Sequence, residues 1–292
     1  MEYRITHRTV YDYSSAVTVS HHAARLLPMQ GATQQVSRSS LTVSPEPAVR
    51  KESRDYFGNA VCSFAIQEIH RHFEVIARSH VTVNAATAPA LALSPMWEEV
   101  AACFRDPVSA EDVAPYEFCM ESPYVRLMPE YAEYARHSFP PGTPVLIGAR
   151  GLMQQIHRDF RYDSVATTIA TPIEEVWAKR HGVCQDFAHM AIACMRSLGL
   201  PARYVSGYLR TYPAAGKPRL VGADASHAWF SVHCPVNGWV DFDPTNDILP
   251  SIEHITVAVG RDFSDVSPLS GILTGGGEHK VRVFVDVEPL GG

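Results

Sequence analysis

The hydrophobic period changes along this chain, and that change limits the architecture more than any other feature. From Tyr3 to about Val83 apolar and polar residues alternate, in runs such as Tyr3-Arg4-Ile5-Thr6-His7, Ser40-Leu41-Thr42-Val43 and Phe73-Glu74-Val75-Ile76. A period of two sends successive side chains to opposite faces of a strand. Leu27-Pro28, Ser44-Pro45-Glu46-Pro47 and Asp55-Tyr56-Phe57-Gly58-Asn59 separate the runs with the residues that turns require. Residues 1–86 therefore read as an all-β, sandwich-like domain.

Residues 87–144 lose the alternation and carry short, proline-punctuated helical patterns such as Trp97-Glu98-Glu99-Val100-Ala101-Ala102-Cys103-Phe104. They read as a helical connecting segment. Pro140-Pro141-Gly142-Thr143-Pro144 ends it, because consecutive prolines deny the backbone both helix and ladder hydrogen bonds. Residues 145–292 form the third unit. Helices are expected over 145–160, from Pro172 with Thr171 as N-cap, and from about Cys184 to Leu198, where Gly199 and Pro201 supply the stop. Strands are expected over 202–209, 226–233, 239–243 and 281–288. Helices followed by strands argue an α+β domain.

Composition narrows the function. With 46% hydrophobic and 19% charged residues, the 292-residue chain is an ordinary globular sequence. Its net charge of -6 comes without the Lys/Arg clusters that neutralise a phosphate backbone, so nucleic acid is not an expected partner. No apolar run has signal-peptide or bilayer-spanning length, and the reading is a cytoplasmic protein without membrane attachment. The six cysteines are scattered and are expected as reduced thiols. CxxC and HExxH spacings are absent, so neither a metal nor a cofactor is expected.

Three segments together carry candidate chemistry: His181-Gly182-Val183-Cys184-Gln185-Asp186, Ser226-His227-Ala228-Trp229 and Gly238-Trp239-Val240-Asp241-Phe242-Asp243-Pro244-Thr245. Gly182 would let the chain turn into a helix whose first turn holds Cys184, where unpaired N–H groups favour a thiolate and could stabilise an oxyanion. His227, opening a strand, suits a general base, and an acid on the next strand would fix its tautomer. Taken singly, each residue has a plainer explanation. A lone cysteine at a helix start is a buried small hydrophobe about three times in four. Asp241 and Asp243 lie two apart on one strand, and periodicity cannot choose between them. His189 and Cys194 read as packing residues within the helix.

At these residues the sequence resembles the bacterial transglutaminase-like superfamily, whose members are often described as cysteine proteases. GVCQDFAHMAIACMRSLGLPARYVSGYL is similar to that family's nucleophile helix and following strand, SHAWFSV to its histidine strand and GWVDFDPTN to its acid strand. THRTVYDY, RLLP and DYFGN resemble the N-terminal β domain that accompanies the core in bacteria, and VAVGRDFSDVSPLSGILTGGGEH resembles its usual extension, expected to complete the core sheet. The resemblance implies a papain-like transglutaminase core of helices packed on an antiparallel sheet, with Cys184 as nucleophile, His227 as base and Asp243, the Asp directly before Pro-Thr, as acid. It implies cysteine-dependent hydrolysis of a peptide, protein or other amide substrate. The alternatives are a protein-glutamine gamma-glutamyltransferase and a non-catalytic partner-binding module.

The family's animal members use an upstream tryptophan as an oxyanion donor, yet none occurs here between Trp97 and Trp177. Gln154 and Gln155 are too remote in sequence to stand for the papain glutamine. Tyr162 is the oxyanion candidate, set against packing in the core. No dense acidic loop suggests calcium. Small residues at Gly182, Ala188, Ala223, Ala225 and Ala228 are expected to leave the site open to water.

Overall fold

In the computed structural model, residues 1–85, 87, 89–105, 110–163, 171–211 and 225–290 are described, the side chains of 110–112 and 225 excepted. The strand β1 (Glu2–Ala24) is the spine of the first sheet. On one side Glu2–Val17 pairs with β5 (His70–Val83), and past the irregularity between Asp12 and Val17 the pairing passes to β4 (Ala60–Ile66). With β2 (Gln34–Ser44) on β5 and β3 (Val49–Arg54) on β4, the order is β2-β5-β1-β4-β3, antiparallel throughout. Val17, Leu41, Val43, Phe64, Ile66, Phe73 and Val75 share one apolar layer, the sandwich-like interior that the alternation implied.

Residues 87–144 form α1 (Trp97–Arg105), α2 (Ala110–Tyr116) and α3 (Pro129–Arg136), with single helical turns at 91–93 and 117–119. They wrap the core unit. That unit begins with α4 (Val145–Asp159), followed by β6 (Arg161–Tyr162), α5 (Ile173–Lys179) and β7 (His181–Gly182). Pro172 is the N-cap of α5, one residue later than expected. Next comes α6 (Cys184–Ser197), buried at every position from Asp186 to Arg196. A helix apolar on all sides must be enclosed, and its alanines let neighbours approach closely. It lies between α3, α4 and α5 and a four-stranded antiparallel sheet in the order β10-β9-β8-β11. These strands are β8 (Ala202–Leu209), β9 (Ala225–Cys234), β10 (Gly238–Phe242) and β11 (His254–Gly260).

The tail divides. β11 adds to the core sheet on β8. After α7 (Phe263–Val266), however, β12 (Leu269–Gly275) and β13 (His279–Leu290) return to the first sheet and pair with the open side of β1. The strand expected over 281–288 is thus present, but its partner is Glu2–Tyr13 and not a strand of the unit 145–292. Alternation identifies a strand without naming its neighbour.

The two sheets are tied by polar side chains as well as by apolar contact. Tyr3, Ile5, Val81, Val83, Val285 and Val287 of the first sheet belong to the same core as α6 and the core strands. The Gln34 amide donates to Thr256 C=O (2.8 Å) and accepts from Thr256 N–H (2.9 Å), and Asn59 does the same at Val259, with both bonds at 2.8 Å. Two side-chain amides thus continue the ladder on β11, an edge strand that would otherwise present bare backbone. Arg196, fully buried on α6, donates to the carbonyls of Met120, Ala202 and Arg261 and to the Ser122 hydroxyl, which fastens the connecting segment to the core. No helix among the described residues is long and apolar enough to cross a membrane.

Candidate active site

The Cys184 end of the candidate site is built locally. β7 pairs in parallel with β6, Tyr162 opposite Gly182, and the chain then enters α6. Asp186 reaches back to the Val183 N–H (2.8 Å), half of a capping box, and a valine N-cap cannot return the bond. Gly182 is needed for this close approach and not for an unusual turn: a Cβ there would lie 2.6 Å from Asp186 Oδ2. Cys184 is half-buried in the first turn of α6, where the Phe187 N–H donates to Val183 C=O.

The acid end is assembled from distant strands. His227 on β9 lies opposite Gly207 on β8, where a Cβ would meet Ile255 O at 2.3 Å and the Trp229 ring at 2.4 Å. His227 Nε2 donates to Asp243 Oδ2 at 2.7 Å, and both residues are buried, at 7% and 0% exposure. Asp243 sits just beyond β10, bridged to Ile248. Its Oδ1 accepts from the N–H groups of Thr245 (3.0 Å) and Asn246 (3.3 Å). Cys184 is a further hydrogen-bond partner of His227. Burial opposes a charge on His227, but the hydrogen bond and charge of Asp243, together with those of Cys184, push it up to about 10. Burial would raise Asp243 in turn. The hydrogen bonds from His227, His254 and Asn246 and the His227 charge hold it well below the usual carboxylate range.

Asp241, the other acid that periodicity left open, lines a cavity of about 320 Å³ between the first domain and the core sheet. Its charge acts on Arg203, which burial lowers to about 10. Tyr162 does not pack in the core: it is 53% exposed, with its ring edge-on to Phe187. Partial burial, and after it the Cys184 charge, raise its hydroxyl pKa. Ala188 and Ala228 are buried in the core, while Ala223 and the Ala225 side chain lie outside the described residues. Gln155 is occupied by Ser138 and the Tyr134 carbonyl. His189 is buried and lowered to about 4, accepting from Phe263 N–H, and Cys194 is fully buried with its thiol pushed up by burial.

His254, which opens β11, is the residue that sequence reasoning missed. Its Nε2 lies 3.1 Å from Asp243 Oδ2, the oxygen that His227 also meets. The available signal was a histidine at the head of the alternating run Ile255-Thr256-Val257-Ala258-Val259, the setting already recognised for His227. His227, Asp243 and His254 form the only set among the described residues with the reach to hold a metal ion, and their ligand atoms are engaged in hydrogen bonds with one another.

Residues 3–82 match the bacterial transglutaminase-like N-terminal region, and residues 135–244 match the transglutaminase-like superfamily. The uncharacterized protein Rv2569c of Mycobacterium tuberculosis is 42% identical over 300 residues, covering 99% of this chain and 93% of that protein. This chain belongs to the transglutaminase-like superfamily. A solved structure described as a candidate cysteine protease from Cytophaga hutchinsonii shares the fold, with a TM-score of 0.78 at 22% identity, covering 100% of this chain and 91% of that one. The protein-glutamine gamma-glutamyltransferase of Pseudomonas aeruginosa is 28% identical over 109 residues, 35% of this chain and 16% of that protein. The matched superfamily region contains Cys184, His227 and Asp243 and ends before His254.

Proposed function

We propose that this member of the transglutaminase-like superfamily is a cysteine-dependent amide hydrolase acting on peptide or protein amides. The observation that carries the reading is one line of contacts, from Cys184 on a helix N-terminus through His227 to the buried Asp243. Cys184 gives its proton to His227 and its sulfur attacks the carbonyl carbon, with the oxyanion held by N–H groups of the first helical turn and by the Tyr162 hydroxyl. The carbon–nitrogen bond then breaks, His227 protonates the leaving amine, and a thioester remains on Cys184. His227 next takes a proton from water as it attacks the thioester and returns that proton to the sulfur as the carbon–sulfur bond breaks, which releases the acid and restores the thiol. Asp243 fixes the tautomer of His227 throughout. The partial exposure of Cys184 and the exposure of Tyr162 support water as the acceptor. The six free cysteines suit a reducing compartment such as the cytoplasm.

The match to a gamma-glutamyltransferase favours a second reading, in which an amine resolves the thioester. A non-catalytic binding module has no need of a buried carboxylate aligned on a histidine that meets a thiol. Partition separates the two enzymatic readings. With an acyl donor and a lysine-like amine supplied together, free acid is expected to predominate at millimolar amine. Predominant adduct would establish transfer, and neither product from any amide donor would remove the enzymatic reading.

A further inference from the structure

We infer that His254 is a positioning residue for this site, holding the Asp243 carboxylate in the orientation that aligns His227 on Cys184. The inference rests on the proposed Cys184 chemistry and deepens it. Three donors converge on Asp243 Oδ2: His227 Nε2 at 2.7 Å, Asn246 Nδ2 at 2.7 Å and His254 Nε2 at 3.1 Å. A carboxylate oxygen given that many donors has little rotational freedom left, and the rotation of Asp243 sets where His227 finds its acceptor.

The tautomer of His254 is fixed from its other side. Its Nδ1 accepts from the Ser251 N–H at 3.4 Å, a backbone group that can only donate, so the ring hydrogen resides on Nε2 and is given to Asp243. The ring is 5% exposed and stands edge-on to Trp229, with centroids 5.3 Å apart at 90°. The strand that carries it is held from outside the core unit. Gln34 grips β11 at Thr256 and Asn59 grips it at Val259, so the first domain fixes the strand whose first residue fixes the acid. This gives the first domain a route to the site: β11 and His254, without any contact with substrate.

A histidine that merely fills space would tolerate any side chain of similar volume. A positioning histidine needs its N–H. Glutamine can place an amide N–H near the position of Nε2, whereas leucine offers volume and no donor. The test compares wild type, His254→Gln and His254→Leu at pH 7 by two readouts, the rate of Cys184 alkylation by iodoacetamide and the ¹⁵N-histidine NMR spectrum. In the wild type, His254 is expected as the Nε2–H tautomer, and His227 is expected to show a low-field N–H proton from its bond to Asp243. His254→Leu should lose or shift that proton and slow Cys184 alkylation about tenfold, the size of one charge-assisted hydrogen bond. His254→Gln should restore the rate to within about threefold of wild type.

Three results would overturn the inference: an Nδ1–H tautomer for His254 in the wild type, a folded His254→Leu with unchanged alkylation and His227 signal, or a His254→Gln no better than His254→Leu. The first needs no variant and so stands even if His254→Leu does not fold. Failure of the underlying chemistry looks different. In that case His227→Ala leaves Cys184 alkylation at the wild-type rate, and no His254 variant alters it.

Discussion

The two ends of the site are made in different ways. At the nucleophile end, Gly182, Val183, Cys184 and Asp186 are neighbours in sequence, and a single side chain-to-backbone bond sets the helix start. At the acid end, His227, Asp243 and His254 come from separate strand ends, meet at one carboxylate oxygen and are buried. The first arrangement follows from local chain geometry. The second exists only once β8, β9, β10 and β11 are paired and the first domain grips β11. Errors in the sheet should therefore reach the chemistry mainly through the acid end.

The largest expected effects are on turnover. Cys184→Ala and His227→Ala should each lower kcat/KM by roughly ten-thousandfold or more while circular dichroism remains unchanged. Asp243→Asn should cost roughly a hundredfold to ten-thousandfold, because the amide can present the wrong partner to His227. Asp241→Asn, on the cavity side of β10, should stay within about threefold of wild type. If well-folded Asp241→Asn were the more damaging of the pair, the acid end would be wrongly drawn.

Two glycine variants sharpen the comparison through stability. Gly207→Ala would drive a Cβ against the Ile255 carbonyl and the Trp229 ring, neither of which can yield without moving β11 or the core, and about 3 kcal/mol should be lost in urea denaturation. Gly182→Ala would meet the Asp186 carboxylate, which can turn away at the expense of its bond to the Val183 N–H, and the Asp186 Cβ at 2.8 Å, which moves only with the first turn of α6. About 2 kcal/mol is expected there, the worth of a cap plus a small shift of the helix start, and less than at Gly207, where backbone and a buried ring are met. Equal losses would mean that the local and long-range ends are not distinct in stability.

The smallest effect is a slope. His227, raised to about 10 from 6.5, contributes stability that is complete below pH 6.5 and is lost as pH rises through 10. Asp243, held below its ordinary 3.8, contributes stability that is present above that pH and is lost on acidification. Thermal melts should therefore fall between pH 6.5 and 10 in the wild type and flatten over that window in Asp243→Asn. An unchanged slope in the variant would show that the pair does not titrate as described.

The same division explains what could be read in the sequence. The helix at Cys184 and the strands at 202–209, 226–233 and 239–243 were legible because period and punctuation are local. Cys184 and His227 were visible as residue types in the right setting, while the preference for Asp243 came from the family resemblance. Pairing was not legible. β13 alternates as a strand should, yet nothing in its residues names β1 as its partner. Tyr162 was set against a core position because aromatic residues are commonly buried, but a two-strand ladder at its end leaves it exposed. His254 was missed because its partner lies across the turn after β10, and only the sheet brings the two together.

The most direct test of the central claim is competitive alkylation of the native protein, with each of the six cysteines followed by peptide mass spectrometry in wild type and in His227→Ala. Cys103 is the informative control, since it is exposed. Labelling of half-buried Cys184 ahead of exposed Cys103 in the wild type, with that order reversed in His227→Ala, is the predicted result. Labelling that follows exposure alone, with Cys103 first in both proteins, would contradict the assignment of Cys184 and His227 as a reactive pair.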